Sequence, residues 1–158
     1  MIRIGFGSDT HRLETGRRLW LGGVLIPHEK GGLGHSDADA LIHAIIDALL
    51  GAAGLRDIGF HFPDTAPEFR GIDSKILLAR TMELIREKGY AISNIDATIA
   101  LERPKIGEYI PSMLRTLAGV MGIDEDRISI KAKTGEKLGF IGREEGVSAC
   151  AVVLLQKS

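Results

Sequence analysis

The sequence predicts an α+β protein, with a mixed β-sheet carrying helices on one face. Three observations predict it. Two late stretches alternate apolar with more polar residues, namely Ile95, Ala97, Ile99, Leu101 and then Ile128, Ile130, Ala132. Helical periodicities lie before and between them, which is the order of a strand–helix–strand unit. An early pair of strand-like runs broken by Gly22-Gly23 reads as a hairpin. A sheet covered on one side has a second face to bury, and in a chain of 158 residues that face is expected to be buried between subunits.

The elements follow in order. Met1–Ser8 and Arg18–Ile26 read as short strands, the second turning at Gly22-Gly23. Ile42, Ile45, Ile46, Leu49 and Leu50 fall at helical spacing and predict a helix over Leu41–Leu50. Ser36 with Asp39 resembles a capping box at its start, and Gly54 lies near its stop. Asp57–Gly71 is aperiodic and contains glycine, proline and aspartate, so it reads as a loop. A second helix is expected from about Asp73 to Lys88, with Leu78, Met82 and Ile85 inward and Gly89 ending it. A third follows Pro111, with Met113, Leu114, Leu117 and Met121 inward. Val147–Leu155 is expected to be the most buried strand, and Cys150 within it a buried, inert thiol.

Composition bounds the function. Apolar residues make up 44% and charged residues 26%, as in ordinary globular domains, and no linker or repeat divides residues 1–158. A net charge of −1 argues against a broad nucleic-acid or membrane surface. A polyanionic substrate would have to be met locally, by metals, backbone N–H groups and a few cations. One cysteine excludes an internal disulfide and a cysteine-rich zinc site. Neither a signal peptide nor a membrane-length apolar run is evident, so a cytoplasmic protein is expected.

Two constellations carry chemistry. Asp9 and His11 stand two apart at the end of a strand and so project to one side. Alone they fit a solvated Asp and a surface His near a turn better than a zinc pair, since a zinc site needs three or four ligands. His43 adds a third ligand type, on a helix with Asp39 and Asp47 one turn to either side. Either carboxylate could accept the outer N–H of a metal-bound imidazole. Three protein ligands with a fourth position open is the arrangement of catalytic zinc, whereas a helical surface histidine flanked by solubilising charges is the bland alternative. His35 and Ser36 precede the helix N-terminus, where an anion is favoured, although Ser36 as a plain cap needs no ligand. The second constellation is Lys133–Arg143, rich in glycine and cations. It reads either as a phosphate loop in which Glu136 holds a hard cation or as a charged hairpin, and it lacks the Walker spacing.

Together these segments resemble the 2-C-methyl-D-erythritol 2,4-cyclodiphosphate synthase family. The resemblance runs through Ser8-Asp9-Thr10-His11, His35-Ser36-Asp37-Ala38-Asp39 with His43, Asp57-Ile58-Gly59, Phe62-Pro63-Asp64-Thr65, Pro104-Lys105 and Glu136–Arg143. It implies a homotrimer with active sites between subunits. It also implies that Asp9, His11 and His43 bind Zn²⁺ or another divalent transition metal, and that Glu136 binds Mg²⁺ or Mn²⁺. His35 and Thr134 would stabilise the transition state. Leu101, Glu102, Arg103, Pro104, Lys105 and Ile106, with Lys133, Thr134, Gly135 and Glu136, would line a pocket for the cytidine diphosphate ester substrate. Ser36, Asp57, Ile58, Gly59, Phe62, Pro63, Asp64 and Thr65 would hold the methylerythritol end, with Phe140 and Arg143 nearby. Arg143 and Glu145 would lie at the trimer axis.

Three positions depart from the family pattern. Ala66 stands where a second aspartate is usual, and Lys133 and Gly135 replace hydroxyl-bearing residues, so side-chain contacts there are not carried over. The implied reaction is attack of a 2-phosphate on the β-phosphorus of the diphosphate, expelling CMP. The rivals are a zinc-dependent phosphohydrolase using the same three ligands and a trimeric binding protein with a structural zinc. Reaction products separate the first, and a turnover assay the second.

Overall fold

The computed structural model describes residues 1–158. Strand β1 runs from Ile2 to Thr15, well past Ser8. The extension follows from pairing: β1 is antiparallel along its length to a C-terminal strand, with Asp9 opposite Ala149 and His11 opposite Val147. Strands β2 (Leu19–Leu21) and β3 (Val24–Ile26) form the expected hairpin. Gly22 and Gly23 turn it with φ of 61° and 75°, the paired positive values of a tight type I′ connection. A fourth strand, β4 (Lys30–Leu33), pairs with the end of β1. Its Gly31-Gly32 centre gives no strand signal in sequence. At Gly31 a Cβ would come within 2.1 Å of the Arg18 carbonyl oxygen, so the chain approaches too closely for any side chain.

Helix α1 spans Ala40–Ala52, and its cap is Asp39 rather than a Ser36/Asp39 box. The Asp39 side chain accepts from the Ile42 N–H and, across the fold, from Gly22 N–H (3.0 Å) and Gly23 N–H (2.7 Å). One carboxylate thus ends the helix and fastens the hairpin to it. The segment expected to be all loop contains a one-turn helix α2 (Ile58–His61) and a 3₁₀ turn at Pro67–Phe69. Helix α3 (Ser74–Glu87) and strand β5 (Tyr90–Ala100) follow, with Gly89 between them at φ 80°. Helix α4 (Ile110–Met121) crosses to strand β6 (Ile128–Lys133), which lies parallel to β5. The one-turn helix α5 (Gly139–Gly142) leads into β7 (Gly146–Lys157).

The resulting five-stranded sheet has the order β4-β1-β7-β5-β6 and is mixed, as the alternation pattern predicts. The helices cover one face. Along β7, Val147, Ala149, Ala151, Val153 and Leu155 point into the core, while Ser148, Cys150, Val152 and Leu154 point to the other face. The expectation of a buried Cys150 is therefore corrected: it is half-buried on the uncovered side. Ile2, Ile4 and Phe6 share that side and are 65%, 70% and 65% exposed. No helix is long and apolar enough to cross a membrane.

Candidate active site

The site lies where β1 passes beneath α1. A Cβ on Gly5 would sit 1.9 Å from the Ala48 carbonyl oxygen, and one on Gly7 2.0 Å from that of Ala44. Two strand glycines facing Ala44, Ala48 and Ala52 let backbone meet backbone, so helix and strand close to a distance no larger side chain permits. Every residue of α1 is buried except His43, Asp47 and Gly51, which follow each other at i, i+4 along one edge. Asp9 comes two residues after Gly7, on the same side of β1. Close packing thus carries His43 to Asp9.

Asp9 Oδ2 lies 2.8 Å from His11 Nδ1 and 3.3 Å from His43 Nδ1. One ligand atom from each of the three lies within 4.8 Å of the others. Asp9 Oδ2 and His11 Nδ1 are buried without a hydrogen-bond partner, a costly state unless something else satisfies them. The donor set, one carboxylate and two imidazoles converging on a point, fits a divalent transition metal. Burial alone would raise the Asp9 pKa, but the adjoining His11 and His43 imidazoles outweigh it and hold the carboxyl below its usual range. Burial likewise works to depress His43, and the Asp9 carboxylate wins, holding its pKa up.

The flanking carboxylates do other work than expected. Asp39 faces the hairpin and the helix start, and its complete burial pushes its pKa up. Asp47, also raised by burial, accepts from the Ile58 N–H at 2.8 Å and so anchors α2. The outer nitrogen of His43 reaches Ser74 Oγ (2.8 Å) and Ser36 Oγ (3.2 Å) instead. Ser74 and Asp37 are thus functional neighbours the sequence reading missed. Separated from each other by 37 positions, they give no spacing signal. The anion site expected at the α1 N-terminus is also corrected, since Asp39 itself occupies that end.

A cavity of about 380 Å³ opens beside the three ligands, and His11, His35, Ser36, His43, Ile58, Gly59, Phe62 and Asp64 line it. Leu33, Phe69, Ile72 and Leu77, unforeseen in sequence, supply its apolar wall. His35 Nε2 meets the Ala66 carbonyl oxygen at 3.0 Å, and the His35 carbonyl accepts from Gly71 N–H at 2.7 Å. His35 therefore ties the 57–71 segment to the site, and Ala66 takes part through its backbone. Asp57 caps α2 through the Phe60 N–H rather than lining the cavity, and Pro63 and Thr65 lie outside its lining.

A second cavity, of about 250 Å³, lies at the C-terminal ends of β5 and β6. Leu101, Glu102, Pro104, Lys105, Ile106, Lys133 and Thr134 line it, so most of the expected nucleotide residues do converge. Arg103 turns away toward Glu29 (3.4 Å) and Glu144 (3.7 Å). Glu102 Oε1 accepts from Gly135 N–H (3.0 Å) and Lys137 N–H (3.4 Å), and Thr134 Oγ1 from Glu136 N–H (3.2 Å). Glu102 thereby shapes the glycine-rich loop. The two cavities share no lining residue, and Glu136, Phe140 and Arg143 line neither. Arg143 pairs with Glu145.

Comparison with known proteins agrees with this architecture. A solved structure of the bifunctional IspDF from Campylobacter jejuni superposes with a TM-score of 0.96 at 41% identity, over all of this chain and 43% of that one. A 2C-methyl-D-erythritol-2,4-cyclodiphosphate synthase solved in a CDP-bound form superposes at 0.90 with 45% identity, over 98% of this chain and 100% of that one. The 2-C-methyl-D-erythritol 2,4-cyclodiphosphate synthase of Bacteroides fragilis is 67% identical over 156 residues, 99% of this chain and 98% of its own. With the YgbB family model matching residues 2–156 as well, the chain belongs to the YgbB family of 2-C-methyl-D-erythritol 2,4-cyclodiphosphate synthases.

Proposed function

We propose that this protein converts 4-diphosphocytidyl-2-C-methyl-D-erythritol 2-phosphate to 2-C-methyl-D-erythritol 2,4-cyclodiphosphate and CMP, as a phosphorus–oxygen lyase of the non-mevalonate isoprenoid pathway. The observation that carries this reading is the convergence of Asp9, His11 and His43 beside a cavity that His11 and His43 line together with Ile58, Gly59, Phe62 and Asp64. The names borne by the relatives supply the substrate class. An oxygen of the 2-phosphate bonds to the β-phosphorus, the bond from that phosphorus to the α–β bridging oxygen breaks, and CMP leaves with that oxygen. Divalent ions, a transition metal at Asp9, His11 and His43 and Mg²⁺ or Mn²⁺ at Glu136, would supply Lewis-acid polarisation of the diphosphate.

The chain's own residues position and enclose. Phosphoryl transfer demands mainly alignment and charge stabilisation, so no nucleophilic side chain is required. Aligning two phosphates of one molecule is worth up to about 7–11 kcal/mol when the geometry is ideal. Ile58, Gly59, Phe62 and Asp64 would hold the methylerythritol end, with Ser36 beneath it. Asp57, Pro63 and Thr65 would act by shaping that segment. His35, fixed by its bond to Ala66, would face the reacting phosphates together with Thr134. Leu101–Ile106 and Lys133–Glu136 would receive the cytidine diphosphate.

The active unit in this reading is a homotrimer. Ile2, Ile4, Phe6 and Val152 form an exposed apolar row on the uncovered sheet face, more than a lone subunit usually leaves in water. A neighbour would also bring the second cavity to the first, with Phe140 and Arg143 at the junction. Phosphorus NMR of the zinc- and magnesium-loaded protein with the substrate tests the activity. Cyclic diphosphate with equal CMP is expected, and linear diphosphate alone would overturn the reading.

A further inference from the structure

We propose that Ser74 and Asp37 form a hydrogen-bond relay that fixes the tautomer of His43 and so sets how tightly the Asp9/His11/His43 cluster holds its metal. The proposal rests on the reading of those three side chains as metal ligands. Ser74 opens α3, 31 positions from His43, and is completely buried. Its Oγ stands 2.8 Å from His43 Nε2 and also within short hydrogen-bond reach of Asp37 Oδ1. The Asp37 carboxylate is itself held, Oδ2 by the Ser74 N–H at 2.9 Å and Oδ1 by the Asp39 N–H at 3.2 Å.

The direction of the relay follows from proton counting. A carboxylate only accepts, so the single Ser74 hydroxyl proton points to Asp37. Having spent that proton, Ser74 Oγ can only accept from His43. A metal at the cluster would take the Nδ1 lone pair; without one, Asp9 Oδ2 competes for the imidazole proton from 3.3 Å, against Ser74 Oγ at 2.8 Å, and the relay tips that proton to Nε2. Ser36 Oγ, 3.2 Å from Nε2, receives the Ala38 N–H at 3.3 Å and offers a second oxygen to the same imidazole edge. The support for this metal ligand thus comes from a different helix, whereas Asp39 and Asp47 on its own helix are committed to backbone N–H groups elsewhere.

The test uses full-length Ser74→Ala, Ser74→Thr, Asp37→Asn and His43→Ala. Nitrogen-15 correlation spectra of the metal-free proteins at about pH 9, where imidazole is neutral, report the His43 tautomer. Chelator competition gives the Zn²⁺ dissociation constant. The wild type should show the Nε2–H tautomer. Ser74→Ala should show mixed tautomers and bind Zn²⁺ about 10–100-fold more weakly, with Ser74→Thr restoring both. Asp37→Asn brings an amide donor to Ser74 Oγ, frees the hydroxyl proton for His43 and should populate the Nδ1–H form. It also keeps the test alive if Ser74→Ala does not fold. Wild-type tautomer and affinity in both Ser74→Ala and Asp37→Asn, with affinity lost in His43→Ala, would overturn the relay alone. Undiminished Zn²⁺ binding in His43→Ala would overturn the three-ligand reading beneath it.

Discussion

At the β1–α1 crossing, Asp9, His11 and His43 are partly to mostly buried, and their surroundings are fixed by helix–strand contact that only glycine permits. In the late loop, Thr134, Glu136 and Lys137 are exposed, the last two at positive φ of 54° and 63°. The carboxylate of Glu102 organises that backbone. The first region takes its geometry from the close packing of β1 against α1. The second is a shaped but open surface whose polar groups face outward. The contrast teaches where each region draws its rigidity: a packed core for Asp9, His11 and His43, and for the late loop only its own turns and the Glu102 carboxylate.

Substitutions that attack the packing should separate the two regions most sharply. Gly7→Val drives a side chain against the Ala44 carbonyl and should cost about 3 kcal/mol or more in urea denaturation. Gly139→Ala, in the loop region, meets open space and strains only a positive φ of 63°, which should cost about 1 kcal/mol in the same experiment. Between these extremes lie the functional variants. His43→Ala should lower kcat/KM on the order of 10²–10³-fold by losing the metal. Glu102→Ala should release the loop and weaken CDP binding by roughly tenfold, read by calorimetry, with Zn²⁺ affinity unchanged.

The smallest effect is a pH dependence. In the metal-free protein, His43 is shifted up from 6.5, so its contribution is fully present below that value and is lost as pH rises through the higher folded pKa. Asp9 is shifted down from 3.8, so its share is present above that value and is lost as pH falls through the lower folded pKa. The chelated protein should therefore melt progressively lower as pH rises above 6.5, and Asp9→Asn should flatten that slope. Zn²⁺ affinity should rise over the same range, because the metal competes with the His43 proton.

Most of the fold was legible because its elements carry period. The Ile42–Leu50 helix, the Gly22-Gly23 hairpin and the alternating strands around residues 95–101 and 128–132 all stand where the pattern put them. β4 was not legible, since Gly31-Gly32 is chosen for close approach to Arg18 rather than for strand propensity. At the site, residue types and order marked Asp9, His11 and His43. The partners that orient them did not announce themselves. Asp47 and Asp39 have the right spacing and the wrong direction, being claimed by Ile58 and by the hairpin N–H groups. Ser74 has no sequence relation to His43 and meets it only because α3 packs against α1.

In the function proposed, a complete site joins the metal corner of one subunit to the phosphate loop of the next. Co-refolding equal amounts of inactive His43→Ala and inactive Glu136→Ala chains tests it directly, with cyclic diphosphate production as the readout. Random assembly of a closed ring should restore activity to about a quarter of wild type, since a quarter of the junctions pair two intact halves. Mixed oligomers that form but make no cyclic product would contradict the claim and place the whole site within a single chain.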